Sequence, residues 1–245
     1  AVTNGFRACH IQVRRLAGKQ CTVAYALLTC ERDPPRRNCA MIKLHHLRIG
    51  RSIFTVWQLE ELGAKYELEV YARDHKTMRA PESLQGIHPL GKSPVIDDDG
   101  LVIAESSAIT TYLLEKFDTE NRLAPPRSDI ASWAEFTQWL HYPEGSVFVP
   151  LFVKMLLMRS DQSHATFEGY SQKEIQLHFD YIAKQLGDSP YILGDDFTAA
   201  DFGVSYVVSL AERLGQLKSW PTLSAYLARN QARPAYLRAL ERAVE

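Results

Sequence analysis

The sequence predicts an α+β chain in two parts: a small mixed-sheet domain of element order βαβ-ββα, then an all-α helical C-terminal domain. Three observations carry this. Short apolar runs at 42–47, 66–71, Val95-Ile96 and Leu101-Val102-Ile103 have strand character, and a helical period separates the first two. A polar stretch from Asp118 to Ser128 carries Pro125-Pro126, and beyond it the texture changes to long helical patterns. Pro221 and Pro234 each stand where proline opens a helix at its first turn.

Taken in order, Ile42 to Leu47 reads as a buried strand. Ser52 to Gly63 reads as a helix, with Ile53, Val56, Trp57 and Leu62 at helical spacing and Glu60-Glu61 on the wet side. Tyr66 to Tyr71 alternates as a half-buried strand does. Residues 74–88 are irregular, with one short helix. Two strands then flank the acidic turn Asp97-Asp98-Asp99-Gly100, and a helix runs from Ser106 to about Phe117. The intervening helix lets the first strand pair be parallel, whereas a tight turn makes the second pair antiparallel. This is thioredoxin-like order. In the helical half, Trp133, Phe136, Trp139 and Leu140 share one face. Ile175, Phe179, Ile182 and Leu186 mark a helix over Glu174–Leu186, and another spans Asp201–Leu214. The expected divisions are 41–118 for the first domain, 119–128 for the linker and 129–245 for the second. Thr198 and Asp201 have the spacing of a capping box, the hydroxyl accepting from the amide three residues on while the carboxylate reaches back. Asp201 is therefore read as a stabilising residue, outside any active site.

The 245 residues suffice for one large or two ordinary domains with a real core, and the formal net charge of -1 gives no pointer to nucleic acid. No apolar run reaches the ~18 residues of a membrane span. The first forty residues stand apart. They hold all four cysteines (Cys9, Cys21, Cys30, Cys39) and seven basic residues against two acidic ones, net +5, which leaves the remainder at -6. Met41 directly precedes the first strand, so this segment is read as upstream translated or added sequence, poorly ordered. A basic targeting segment is the alternative: no acid precedes Glu31, but serine is scarce and Asp33-Pro34-Pro35 breaks any helix. A metal site built on Cys9-His10 and the other cysteines lacks paired spacing. The cysteine-free body has neither disulfide nor catalytic thiol and must rest on packing, as in a reducing, cytoplasmic setting.

The most informative run is His88-Pro-Leu-Gly-Lys-Ser-Pro-Val-Ile, with Glu105-Ser106 further on. The Ser93-Pro94 bond at a strand start can be cis, and Pro94 cannot extend a ladder, so a neighbouring backbone group is left to pair with something else. Glu105-Ser106 opens a helix, where amides point outward and attract anions. Together they suggest a pocket for a peptide-like ligand with a carboxylate and an amine.

These motifs, with Ile42-Lys43-Leu44-His45-His46-Leu47, Gly50-Arg51-Ser52, His141-Tyr142-Pro143-Glu144-Gly145-Ser146, Thr198-Ala199-Ala200-Asp201 and Arg233-Pro234-Ala235-Tyr236, resemble the glutathione S-transferase superfamily over residues 41–245. The likeness is to a bacterial and fungal branch sharing the His-Pro-Leu-Gly-Lys-Ser-Pro and Glu-Gly-Ser runs. The resemblance implies glutathione as co-substrate, no metal, a small hydrophobic electrophile, a detoxifying transferase activity and a homodimer, with no nucleic-acid or membrane partner. It also leaves open a binding protein of weakened activity, or a glutathione-dependent lyase, dehalogenase or peroxidase. It implies that Ser93, before Pro94, pairs its backbone with the cysteinyl part, that Glu105 and Ser106 clamp the γ-glutamyl end, and that Lys92 suits the glycyl carboxylate. The thiol titrates near ~8.5 when free, so donors and cations must favour its charged form. Relatives often carry a hydroxyl residue where Gly50 stands, a tyrosine near His45 or a cysteine near Arg51. None of these is present. Ser52, with Arg51 as electrostatic support, is left as the expected catalytic pair. Tyr142, Phe148, Phe152 and Met155 fall along one expected helical segment, and Tyr142 and Phe148 are the expected electrophile walls. His45, His46, His88 and His141 make no metal pattern.

Overall fold

The computed structural model describes residues 41–244; the readings made of residues 1–40 and of their cysteines lie outside these residues. The first domain comprises β1 (Ile42–Leu47), α1 (Ser52–Glu61), β2 (Tyr66–Tyr71), a 3₁₀ turn (Glu82–Gly86), β3 (Val95–Asp98), β4 (Leu101–Ala104) and α2 (Ser106–Phe117). The sheet order is β2-β1-β3-β4. The first pair is parallel, with Leu44 beside Leu68, because α1 crosses between its strands. β3 runs antiparallel to β1, Leu44 facing Ile96, and β4 is antiparallel to β3. The hairpin turns on Asp99 and Gly100, whose φ angles of 55° and 87° suit a two-residue turn that follows strand twist. Asp97 Oδ1 braces it by accepting from Gly100 N at 2.8 Å.

The helical part comprises α3 (Ile130–Tyr142), a π-turn (Pro143–Val147), α4 (Phe148–Leu157), α5 (Ala165–Leu186), α6 (Ala200–Arg213), a 3₁₀ turn (Leu217–Ser219), α7 (Pro221–Gln231) and α8 (Pro234–Ala243). Pro221 and Pro234 open α7 and α8 as expected. One expectation changes. α5 begins at Ala165, well before Glu174, because Glu168 caps it, accepting from His164 N at 3.2 Å. Its first turns are exposed, Phe167 and Tyr170 included, and so carry no buried apolar period. The segment from Tyr142 to Met155 is helical throughout, as expected, but a π-turn interrupts its α-helical hydrogen bonding at Pro143–Val147.

The linker is tied down. Asp118 is buried and its carboxylate accepts from Arg122 N at 2.9 Å and Leu123 N at 2.8 Å. Leu123 O in turn accepts from Ala199 N at 2.7 Å. The Thr198–Asp201 motif is half a capping box. Asp201 reaches back to Thr198 N at 2.9 Å, but the Thr198 hydroxyl donates to that same carboxylate at 3.3 Å instead of accepting from an amide. The buried carboxylate also accepts from Ile192 N at 3.0 Å and from the Tyr226 hydroxyl at 2.7 Å.

The two parts share one core. Trp57 of α1 is fully buried, edge-on to Phe202 at 4.8 Å and Tyr236 at 5.1 Å between ring centroids, with Phe197 at 5.3 Å. α8 packs along α1 and is pinned there by charge: Arg233 to Glu61 at 2.6 and 3.0 Å, and Arg238 and Arg242 to Glu60 at 2.9 and 3.3 Å. Aromatic burial of this size contributes about 3–5 kcal/mol for a side chain such as Trp57.

Candidate functional site

The site is built around the C-terminal end of β1. Pairing between β1 and β3 ends at His45 and Val95, because Pro94 has no N–H to continue it. The Ser93-Pro94 bond is cis. The Ser93 hydroxyl takes over the ladder, donating to His45 O at 2.7 Å and accepting from Leu47 N at 3.1 Å. This fixes the turn that carries Lys92, which is exposed, beside the strand end.

Leu47 N meets a second hydroxyl, Ser52 Oγ, at 3.1 Å, and Ser52 Oγ donates back to Leu47 O at 3.2 Å. Ser52 is completely buried. Its one proton is thus spent on the backbone, and the hydroxyl closes the β1–α1 corner. The expectation that it faces a bound thiol conflicts with this geometry, since such a contact requires breaking the Leu47 pair. Arg51, the residue before it, is half-buried and turned the other way. Gly50 is hemmed in: a Cβ there would lie 2.9 Å from Leu47 O and 3.2 Å from a terminal nitrogen of Arg73. Arg73 straps the corner by donating to Arg48 O and Ile49 O, both at 3.2 Å, and to Met78 O at 3.0 Å. Sequence reasoning missed Arg73, which sits in a stretch with no periodic signal.

Glu105 and Ser106 stand where β4 passes directly into α2. Glu105 has φ 73°, ψ 119°, a conformation that costs of order 1–3 kcal/mol in a non-glycine residue and is concentrated at ligand sites. It nonetheless starts the helix, accepting from Ile109 N at 2.9 Å, and its side chain stays exposed. Ser106 lines a small crevice of about 40 Å³ between the sheet domain and the helices. Arg51, Gln58 and Thr110 line it on one side, and Glu144, Phe202 and Tyr206 on the other.

Across this crevice Arg51 pairs with Glu144 at 2.9 Å, and its guanidinium carbon lies 4.4 Å from the centre of the Phe148 ring. The pair is part-buried, and an ion pair still within reach of solvent contributes only about 0–1 kcal/mol, less than the ~2 kcal/mol of rotamer entropy an arginine carries. The ring contact adds roughly 0.5–2 kcal/mol, enough to fix the side chain. Burial pushes the Glu144 carboxyl above its ordinary range, opposed by Arg51 and reinforced by Glu105. Burial likewise raises the Tyr206 phenol. Phe148, expected as a pocket wall, does stand beside Arg51, stacked on Phe152 with centroids 5.6 Å apart. Tyr142 does not join it. Its hydroxyl meets His178 Nδ1 at 2.7 Å, and its ring packs edge-on to Trp139 and Tyr181 within the helices. Six residues apart, the two aromatics fall on different faces of the helical segment. Glu144 was flagged by the Glu-Gly-Ser run but was given no role from sequence. Among the described residues, no group of three or more His, Cys, Asp and Glu side chains is placed to hold a metal ion.

Residues 40–115 match the family described as glutathione S-transferase, N-terminal domain, and residues 161–229 match glutathione S-transferase, C-terminal domain. The chain is 34% identical over 186 residues to glutathione S-transferase 3 of Schizosaccharomyces pombe, covering 71% of this chain and 75% of that one. It is 28% identical over 226 residues to glutathione S-transferase 1 of Saccharomyces cerevisiae, covering 83% and 95%. A glutathione S-transferase structure from Actinobacillus pleuropneumoniae superposes with a TM-score of 0.76 at 35% identity, covering 83% of this chain and 93% of the other.

Proposed function

The chain belongs to the glutathione S-transferase family, and from that premise we propose where it holds glutathione and what charges the thiol. The activity is transfer to the glutathione thiol, with glutathione as co-substrate. The observation that carries the site reading is the convergence on one crevice of Arg51, Ser106 and Glu144, drawn from both parts of the chain. Ser93 presents the cysteinyl backbone-pairing edge, as an added strand does. Glu105 takes the γ-glutamyl amine, and Ser106 with the α2 amides takes its carboxylate. Lys92 reaches the glycyl carboxylate.

The thiolate then lies at the β1–α1 corner. The positive end of α1 and the Arg51 guanidinium favour its charged form, each by electrostatics and without a proton to give up. Ser52 acts through the corner it closes. The thiolate attacks a small hydrophobic electrophile held against Phe148 and the crevice wall. The absence of a helix, among the described residues, long and apolar enough to cross a membrane suits an enzyme free in solution. We infer a cytoplasmic homodimer, checked by light scattering and by cell fractionation.

The deciding experiment measures glutathione binding by calorimetry and turnover of an aromatic halide in the same preparations. Glu105→Ala is expected to weaken glutathione binding by more than about tenfold, the loss of a charge-assisted pair. An unchanged affinity removes Glu105 from the clamp.

A further inference from the structure

We propose that Glu144 is the positioning residue for Arg51 in the transfer reaction: it holds the guanidinium against the Phe148 ring so that the cation faces the bound thiol instead of turning to solvent. This rests on the reading of Arg51 as the thiolate's cation.

A continuous α-helix from α3 into α4 would keep Tyr142, Glu144 and Phe148 in fixed helical phase. The five-residue turn at Pro143–Val147 adds backbone and changes that phase, a feature that recurs at functional sites. Tyr142 packs into the helices, while Glu144 and Phe148, four residues apart and so on one side of the helical segment, both meet Arg51, the carboxylate at 2.9 Å and the ring at 4.4 Å. The turn is itself seated by α6. A Cβ on Gly203 would lie 3.2 Å from Pro143 Cγ and 3.4 Å from Pro143 Cβ, tighter than ordinary side-chain contact. Gly203 therefore lets α6 approach Pro143 closely, and Pro143 sets the height of the next residue, Glu144. Besides Arg51, the titratable groups around Glu144 are Glu105 at the start of α2 and Tyr206 on α6; neither supplies a second cation. Among the described residues, Glu144 is the carboxylate of the helical side that draws Arg51 inward; the Tyr206 hydroxyl, also beside Arg51, adds no charge.

The test follows the ultraviolet absorbance of the bound thiolate against pH, in the full-length enzyme and in Arg51→Gln, Glu144→Gln and the double variant. Each single change is expected to raise the bound thiol's pKa by about one unit, a roughly tenfold loss of thiolate below that pKa, with kcat falling and KM for glutathione little changed. The double variant should match either single, because both remove the same positioned cation. If Arg51→Gln raises the thiol pKa and Glu144→Gln leaves it unchanged or lowers it, the proposal is overturned, since Arg51 then finds its place unaided. If Arg51→Gln itself has no effect, the reading of Arg51 falls and this proposal with it. Gly203→Ala moves the turn by a few tenths of an ångström and touches neither charge. It should raise the thiol pKa in the same direction and by less, and an unmoved thiol in that variant overturns the seating by α6.

Discussion

A terminal nitrogen of Arg73 lies 3.2 Å from the place a Cβ on Gly50 would occupy, with the carbonyl oxygen of Leu47 closing the other side at 2.9 Å. The missing hydroxyl at this position is therefore not a gap waiting to be filled. The corner has closed over it, and a guanidinium held by three backbone carbonyls stands alongside.

Restoring a hydroxyl there is expected to do harm. Gly50→Ser must displace either the Leu47 carbonyl, which is backbone, or the Arg73 strap. The expected cost is about 1–3 kcal/mol, as for other overpacked sites, read from the denaturant midpoint. Turnover should fall with stability. A variant that is as stable as the parent and faster would show that the corner opens more readily than its contacts indicate.

The Asp201 carboxylate separates two substitutions that the capping-box spacing treats alike. Asp201→Ala strands the Ile192 and Thr198 amides and the Tyr226 hydroxyl in the interior. Stranded buried donors cost about 1–3 kcal/mol each, so a loss of several kcal/mol is expected. Thr198→Ala removes only one further donor to that carboxylate and should cost less than about 1 kcal/mol, below the usual value for a true N-cap. Equal losses in chemical denaturation would contradict this ordering.

His45 gives the fold an acid-sensitive arm. Burial lowers its pKa, against opposing contributions from Glu69 and Asp97, and its Nδ1 lies 2.9 Å from the Tyr71 hydroxyl. The folded value is below the unfolded one of about 6.5, so the unfolded chain takes up the proton first. The stability from this residue is present above about pH 6.5 and is lost as pH falls through the lowered folded value. His45→Gln should flatten that slope in denaturant midpoints taken across this range, while leaving the carboxylate-driven loss at lower pH.

Much of this was legible in the chain because it depends on local rules. Alternation at Tyr66–Tyr71, the Asp99-Gly100 turn and the two opening prolines each state their element directly. The end of the β1–β3 ladder at Ser93-Pro94 is visible for a similar reason, since proline at a strand start cannot continue it. A serine at a helix start, such as Ser52, looks the same in sequence whether its hydroxyl faces a ligand or the strand behind it. Only Leu47, five residues back, decides that. The Arg51–Glu144 pair spans 93 residues, and no periodic pattern encodes such a distance. Pro143 and Gly145 mark an irregularity in the helix, but nothing in the run says that it takes the form of a π-turn.

The packing of α8 along α1 bears on how the enzyme can be dissected. Residues 41–118 look like a module that one would clone and express alone, yet Trp57 takes much of its cover from Phe197, Phe202 and Tyr236, and Glu60 and Glu61 draw their counter-charges from Arg233, Arg238 and Arg242. An excised sheet domain would expose an indole face and two unmatched carboxylates. The two halves share one core, and the unit expected to melt is the pair together.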